Sequence, residues 1–176
     1  PAQATSPSHP LTVHDMLAMD RISDSRVSPD GKWIVFNVRE TDLAANRGRT
    51  DLWLVGTDGT GLRRLTNHPA ADFNGRWTPC SQWVFFLSTR SGSSQVWRIK
   101  VDGGEAEQVS HLPLDVGNLV VAKDKLAFTM DVFPGTTPEE TAAKLEASEK
   151  GQASGRLYEK LFVRHWDTWS DGRRSH

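Results

Sequence analysis

Cysteine is almost absent from this chain, and long apolar runs are missing altogether. Cys80 is the single cysteine among 176 residues, so no disulfide forms within the chain and the redox compartment stays open. No apolar stretch approaches the roughly 18–20 residues of a membrane-spanning helix. The pattern of a secretory signal, a basic start followed by an apolar middle, is also missing. Charge of one sign is lacking too: 21 Lys and Arg stand against 22 Asp and Glu, for a net charge of -1. That balance gives no electrostatic footprint for nucleic acid or an anionic membrane, and neither is expected as a partner. His9, His14, His68 and His111 show no metal-ligand spacing, and no glycine-rich phosphate loop occurs, so no metal and no cofactor is expected.

What is present is an ordinary globular composition, 37% hydrophobic and 24% charged, with self-similarity as its main feature. Ser28-Pro29-Asp30-Gly31-Lys32-Trp33-Ile34-Val35-Phe36 recurs fifty positions on as Thr78-Pro79-Cys80-Ser81-Gln82-Trp83-Val84-Phe85-Phe86. Cys80 therefore stands where the first copy has Asp30, and a turn or buried thiol is expected there rather than a nucleophile. A second motif, Asp51-Leu52-Trp53-Leu54-Val55 with Asp58-Gly59 and Arg63-Arg64-Leu65-Thr66, recurs forty-four positions on. Its second copy is Gln95-Val96-Trp97-Arg98-Ile99 with Asp102-Gly103 and Glu107-Gln108-Val109-Ser110.

Asp-Gly and Pro-Asp-Gly supply the positive φ that tight hairpins need. The flanking runs of Val, Ile, Phe and Trp suit a pleated, half-buried surface. Each repeat thus reads as an antiparallel meander of about four short strands. A period of roughly 40–50 residues then points to an all-β fold, a β-propeller of four-stranded antiparallel blades. About three blades of a ring of about seven are expected, behind an N-terminal segment over residues 1–20.

Within residues 21–176, blade one is expected over about 22–66, blade two over about 73–110 and blade three over about 116–176. In the third, Lys125-Leu126-Ala127-Phe128-Thr129-Met130 takes the place of the Trp33 and Trp83 strands without a Pro-Asp-Gly turn ahead of it. Residues 134–155 interrupt that unit with a helix. Thr137 and Glu140 make a capping box, Pro138 sits at the first helical position and Gly151 follows the last turn. Its apolar content is alanines and Leu145, so it should lie exposed. Thr12 and Asp15 cap a short helix ahead of blade one. The turn Asp171-Gly172 lacks the strand expected after it, so the fold reads as cut within a blade. Three blades leave two open apolar ends, and the rest of the propeller is expected as a continuation or another chain.

With the repeats in place, the chain resembles the N-terminal propeller portion of the prolyl oligopeptidase family of serine peptidases. The resemblance rests on the leading helix, on Ser28-Pro29-Asp30-Gly31-Lys32 and on Asp58-Gly59-Thr60-Gly61 before Arg63-Arg64-Leu65-Thr66. These motifs occur also in non-enzymatic propellers such as the periplasmic protein of the Tol system. Leu157-Tyr158-Glu159-Lys160-Leu161-Phe162-Val163-Arg164-His165-Trp166-Asp167-Thr168-Trp169 is more specific. It is similar to a segment of type V dipeptidyl peptidases and acylaminoacyl peptidases.

The resemblance implies a full-length hydrolase whose Ser, Asp and His triad lies in an α/β-hydrolase domain with a Gly-x-Ser-x-Gly elbow. Gly151-Gln152-Ala153-Ser154-Gly155 and Gly92-Ser93-Ser94 have the wrong spacing, so no catalytic residue is assigned within this chain. The implied activity is release of dipeptides or blocked single residues from oligopeptide N-termini, with the propeller controlling access. A periplasmic or secreted location follows from that resemblance, with a cytoplasmic one as the alternative. The Pro- and Ser-rich start, PAQATSPSHP, suits either a flexible terminus or the remnant of a removed signal. A homodimer is left open.

A free α-amino group removed from water needs a carboxylate or backbone acceptors. The candidate substrate-binding residues are Glu159, Arg164, His165, Trp166, Asp167 and Trp169. Each has a structural alternative: Arg164 pairing with Asp167 to fix a loop, the tryptophans in packing, Glu159 on a solvated surface. Trp33, Trp53, Trp83 and Trp97, at matched repeat positions, are expected in the packing between blades. The reading of another class is a non-enzymatic propeller that scaffolds protein contacts.

Overall fold

The computed structural model describes residues 9–151, 155, 158 and 163–176. Helix α1 (Val13–Ala18) opens them, and its Thr12–Asp15 capping box is formed on both sides. Four antiparallel strands follow: β1 (Arg21–Val27), β2 (Trp33–Asp42), β3 (Arg47–Gly56) and β4 (Arg63–Arg64), in spatial order 1-2-3-4. The second sheet repeats that meander with β5 (Asp72–Trp77), β6 (Trp83–Ser88), β7 (Gln95–Lys100) and β8 (Glu107–Gln108). These are two propeller blades.

The Pro-Asp-Gly turn of blade one works through side chains as well as through Gly31 at φ 71°. Ser28 Oγ donates to Asp30 and accepts the Trp33 amide at 2.9 Å, while Asp30 also takes the Lys32 amide. In blade two Thr78 takes the place of Ser28 and accepts the Trp83 amide, and Ser81 at φ 59° replaces the glycine. Cys80 is exposed in that turn, its Sγ 3.3 Å from Thr78 Oγ1.

The second motif has an equally concrete role, because it fastens the two-residue fourth strand of each blade. The Leu52 amide donates to Thr66 Oγ1 at 3.0 Å, and the Leu65 and Thr66 amides return to Leu52 O. Buried Asp51 accepts the His68 amide and pairs with Arg49 and Arg64. Blade two matches this bond for bond: the Val96 amide donates to Ser110 Oγ, and Val109 and Ser110 return to Val96 O. Buried Gln95 replaces Asp51 and gains reach from its amide, which bonds Ser110 Oγ, the Leu112 amide and the carbonyls of Leu112 and Leu114.

Two apolar clusters glue the blades. Val35, Leu52, Leu54 and Leu65 of blade one meet Trp77, Val84, Phe86 and Ile99 of blade two. Leu87 and Val96 meet Val116 and Leu119 at the next junction. Burial of apolar surface contributes about 25 cal/mol per Å2, and these junctions hold the buried apolar side chains of both blades. Trp33, Trp53, Trp83 and Trp97 are half-buried rather than sealed between blades. Trp33 and Trp97 pack at the cluster's edge, while Arg64 lies over Trp53, Arg90 over Trp97, and Arg98 and Lys100 over Trp83. A cation on the ring face lets a large aromatic stay partly wet without loss of contact.

The third unit starts with β9 (Gly117–Ala122), β10 (Lys125–Thr129) and β11 (Asp131–Val132), and β9 pairs with β10 through a turn at Lys123, φ 49°. Helix α2 (Pro138–Lys150) then leaves the sheet, capped as its sequence requires by Thr137, Glu140 and Pro138. Thr141 is its buried residue. Beyond it come β12 (Arg164–His165), β13 (Thr168–Trp169) and β14 (Arg174–Ser175). β14 pairs with β11, and Met130 and His176 exchange two backbone hydrogen bonds of 2.9 Å. The turn at Asp171-Gly172 is therefore followed by a strand, which corrects the expectation that none follows. That strand occupies the place of β3 in blade one: Val132 pairs with Arg174 as Glu40 pairs with Arg49.

Candidate functional site

The register locates the departure from the repeat. In blade one the second and third strands are joined by a tight hairpin closing at Asp42–Arg47. In blade two they close at Ser88–Gln95. In blade three the same hairpin is opened between Val132 and Arg174, and everything from Phe133 to Arg173 is an excursion from its tip. The sequence reading placed the interruption at 134–155; the pairing carries it on to Arg173.

The excursion is fixed to its blade at the root. Thr141 Oγ1 accepts the Phe133 amide and lies 2.7 Å from Thr136 Oγ1, and Lys144 Nζ sits 5.7 Å above the Phe133 ring. An apolar cavity of about 280 Å3 lies there, between Val132, Phe133, Pro138 and His176. A second, more polar cavity of about 430 Å3 is lined by Asp115, Asn118, Thr129, Asp131, Arg173 and Ser175 among others. Arg173 Nε donates to Asp171 at 2.6 Å. Partial burial of the Asp171 carboxyl raises its pKa, but the amide and guanidinium of Arg173 outweigh that and hold it below the usual carboxylate value.

Five of the six candidate binding residues lie together on one small hairpin, and Glu159 lies outside the described residues. Arg164 pairs with Trp169 and His165 with Thr168, leaving Trp166-Asp167 as the two-residue turn. Trp166 adopts φ 52°, a left-handed conformation that costs a bulky residue free energy. The residue is 86% exposed. Arg164 donates to Trp166 O and stacks over the Trp169 ring at 5.5 Å, so its partner is not Asp167 as the alternative reading had it. Asp167 accepts from Thr168 Oγ1. Tyr158 stacks on Trp169 with ring centroids 6.1 Å apart. Within this structure both tryptophans are exposed.

This hairpin offers an exposed aromatic face, a guanidinium and a carboxylate within a few residues. The sequence reading missed the polar cavity, since Asp115, Asp131 and Arg173 come from three separated segments with no shared motif. Among the described residues no three His, Cys, Asp or Glu side chains are grouped to hold a metal ion. No helix among them is long and apolar enough to cross a membrane.

Comparison with known proteins agrees with this architecture. The profile of the TolB beta propeller domain matches residues 19–130. Dipeptidyl-peptidase 5 of Porphyromonas endodontalis is 30% identical over 96% of this chain and 24% of its own length. The Tol-Pal system protein TolB of Helicobacter hepaticus is 33% identical, over 48% of the chain and 19% of that protein. Among solved structures, the AtxE2 isopeptidase with Astexin3-dC4 bound superposes with a TM-score of 0.62 at 20% identity. That match covers 89% of this chain and 28% of the isopeptidase. The chain thus spans about a quarter of the length of the peptidases it matches. Its repeats, its blade geometry and the profile match together make it a member of the TolB beta propeller domain family.

Proposed function

We propose that this chain is the opening part of the propeller of a serine exopeptidase, which admits and orients oligopeptides whose N-terminal dipeptides or blocked residues are removed. The chemistry would sit in an α/β-hydrolase domain outside residues 1–176. The observation that carries this reading is the opened hairpin of blade three. The likeness to Dipeptidyl-peptidase 5 runs through it, over 96% of the chain, whereas the likeness to TolB covers about half. A scaffold propeller has no need of a 41-residue excursion, Phe133 to Arg173, bearing unburied aromatics on one hairpin.

In this reading the excursion stands at the peptide's path. Trp166 and Trp169 wall the peptide, Arg164 offers donors to its carbonyls, and Asp167 or Glu159 receives its α-amino group. Asp115 and Asp131 at the root of the excursion are a second acidic location for that cation. A periplasmic or secreted site of action accompanies this function.

The test uses the full-length protein. It should label with a fluorophosphonate probe and cleave dipeptide anilides; absence of both would end the peptidase reading and favour the scaffold. Glu159→Gln and Asp167→Asn should each raise KM for free-amine substrates with kcat little changed. Unchanged kinetics in both would remove these two as amine anchors.

A further inference from the structure

Most arginines of blades one and two are committed to partners. Arg76 Nη1 donates to Asp24 of blade one at 2.8 Å, and its Nε donates to Leu119 O of the third unit at 3.0 Å, so one guanidinium ties the first strands of three blades. Asp24 and Asn74 are both left-handed, and Asn74 Oδ1 supports the next junction by accepting the Leu119 amide. Arg49 and Arg64 pair with Asp51, Arg90 with Asp72 and Arg98 with Glu107. Arg39 differs from these. It is exposed, and among the described residues its guanidinium has no hydrogen bond, ion pair or aromatic face.

Its place is nonetheless defined. The guanidinium lies against the backbone of Gly48, where a Cβ would stand 2.5 Å from Nη2 and 2.6 Å from Cζ. Gly48 is not among the glycines at positive φ, so the backbone makes no demand for a glycine there. What the missing side chain provides is room for Arg39. A planar guanidinium already held in place loses less freedom on binding than a free one.

The hairpin that carries this pair stands clear of its neighbour. Blades one and two run in step as far as Val38↔Asp51 and Ser88↔Gln95, where the ladder of blade two ends. Blade one continues through Arg39↔Thr50, Glu40↔Arg49, Thr41↔Gly48 and Asp42↔Arg47, a rise of about 13 Å. Side chains alternate along a strand, so Arg39 points the same way as Val35, which packs against blade two. It therefore overhangs blade two beyond the end of that ladder. Across blade two rises the excursion, and its apolar cavity of about 280 Å3 includes Met130, which packs on Leu87 and Val96 of blade two. Blade two is thus a low floor between a cationic wall and an apolar one, two sheet spacings or about 20 Å apart.

We propose that Arg39, seated on Gly48, anchors a carboxylate of the bound oligopeptide, borne by its C-terminus or by an acidic side chain. The inference rests on the peptidase reading and adds a cationic contact across blade two from the excursion, to which that reading assigns the α-amino group. Charge complementarity selects the occupant: the guanidinium fork matches a carboxylate, and Arg39 has no carboxylate partner within the chain. Arg39 then determines specificity and takes no part in the chemistry.

The test uses the full-length protein and oligopeptides of one sequence: the C-terminal acid, its amide, and the amide with one internal Gln replaced by Glu. The parent should favour one of the two acids over the plain amide by roughly 3- to 10-fold in kcat/KM, through KM; the favoured one names the source of the carboxylate. Arg39→Ala should abolish that ratio, whereas a purely structural loss would slow all three peptides alike and leave it intact. Gly48→Ala keeps the charge but displaces the guanidinium, and it should lower the ratio too. A parent without preference, or a ratio that survives either substitution, overturns the proposal. Dipeptide anilides, which carry no carboxylate, keep the two readings apart. A parent that cleaves none of them ends the peptidase reading, and calorimetric binding of the same peptides then decides Arg39, equal affinities overturning its role.

Discussion

Blades one and two, on one side, and blade three, on the other, are built from the same opening hairpin and then diverge at one point. The first two close their second and third strands within a few residues and fasten the fourth strand through Asp51 or Gln95. The third lets the chain out at Val132 and takes it back at Arg174. A β-hairpin tip carries no obligatory pairing, so a long insertion there costs only the slow logarithmic term of loop closure. The junction faces cannot change without losing the cluster between blades. Variation therefore concentrates where the repeat is cheapest to interrupt, and the exposed aromatic hairpin lies there.

The comparison breaks most severely at the junction core. Phe86→Ala removes a ring with no exposed surface from the first cluster and should cost about 3–5 kcal/mol, measured by denaturant unfolding of the intact protein. A smaller effect separates matched positions of blades one and two. A Cβ on Gly75 would stand 3.3 Å from Leu52 Cδ2 and 3.4 Å from a Val35 methyl, so Gly75→Ala should cost about 1–3 kcal/mol by overpacking. Ser25→Ala, at the matching exposed position of the first strand, should stay within about 0.5 kcal/mol. Equal effects would mean that the two positions share one environment after all.

Acid titration distinguishes buried from exposed carboxylates. Burial raises the pKa of Asp72, opposed by Ser88 and by Arg90 at 2.5 Å. A raised folded-state pKa means the native state holds the proton longer, so this group's contribution grows as pH falls through its folded value and is lost as pH rises. Asp30 and Asp58 behave in the opposite sense, held down by bonds from Ser28 and from Thr60; their contributions vanish as pH falls below the carboxylate range. Stability of Asp72→Asn relative to the parent should therefore decline on acidification, and a flat difference would remove the burial argument. The smallest expected effect is confined to the excursion. Thr137→Ala loses the cap of α2 and should cost about 1 kcal/mol of local helix stability. Faster amide exchange within 138–150 should report it, with the blade amides unchanged.

The capping boxes at Thr12 and Thr137 were readable from three-residue spacings, because local hydrogen bonds decide them. Proximity in sequence also brought Arg164, His165, Trp166, Asp167 and Trp169 onto one hairpin. Their partners were not legible: Arg164 chose Trp166 O and the Trp169 face over Asp167, a matter of rotamer and turn geometry. The left-handed residues Asp24 and Asn74 stand fifty positions apart in Asp24-Ser25-Arg26 and Asn74-Gly75-Arg76, directly ahead of the repeated turn, but their role between blades was not legible, and Asn118 lacks the Arg two positions on.

The sequence by itself determined the blade repeat, the turns and the helix caps, since each follows from backbone preferences and apolar alternation over a few residues. Only the tertiary structure decided that the excursion is the opened tip of one hairpin, that Asp51 and Gln95 do the same work, and that Arg76 ties three blades. Those depend on register and on contacts about fifty positions apart, where chain order carries no information about which groups meet.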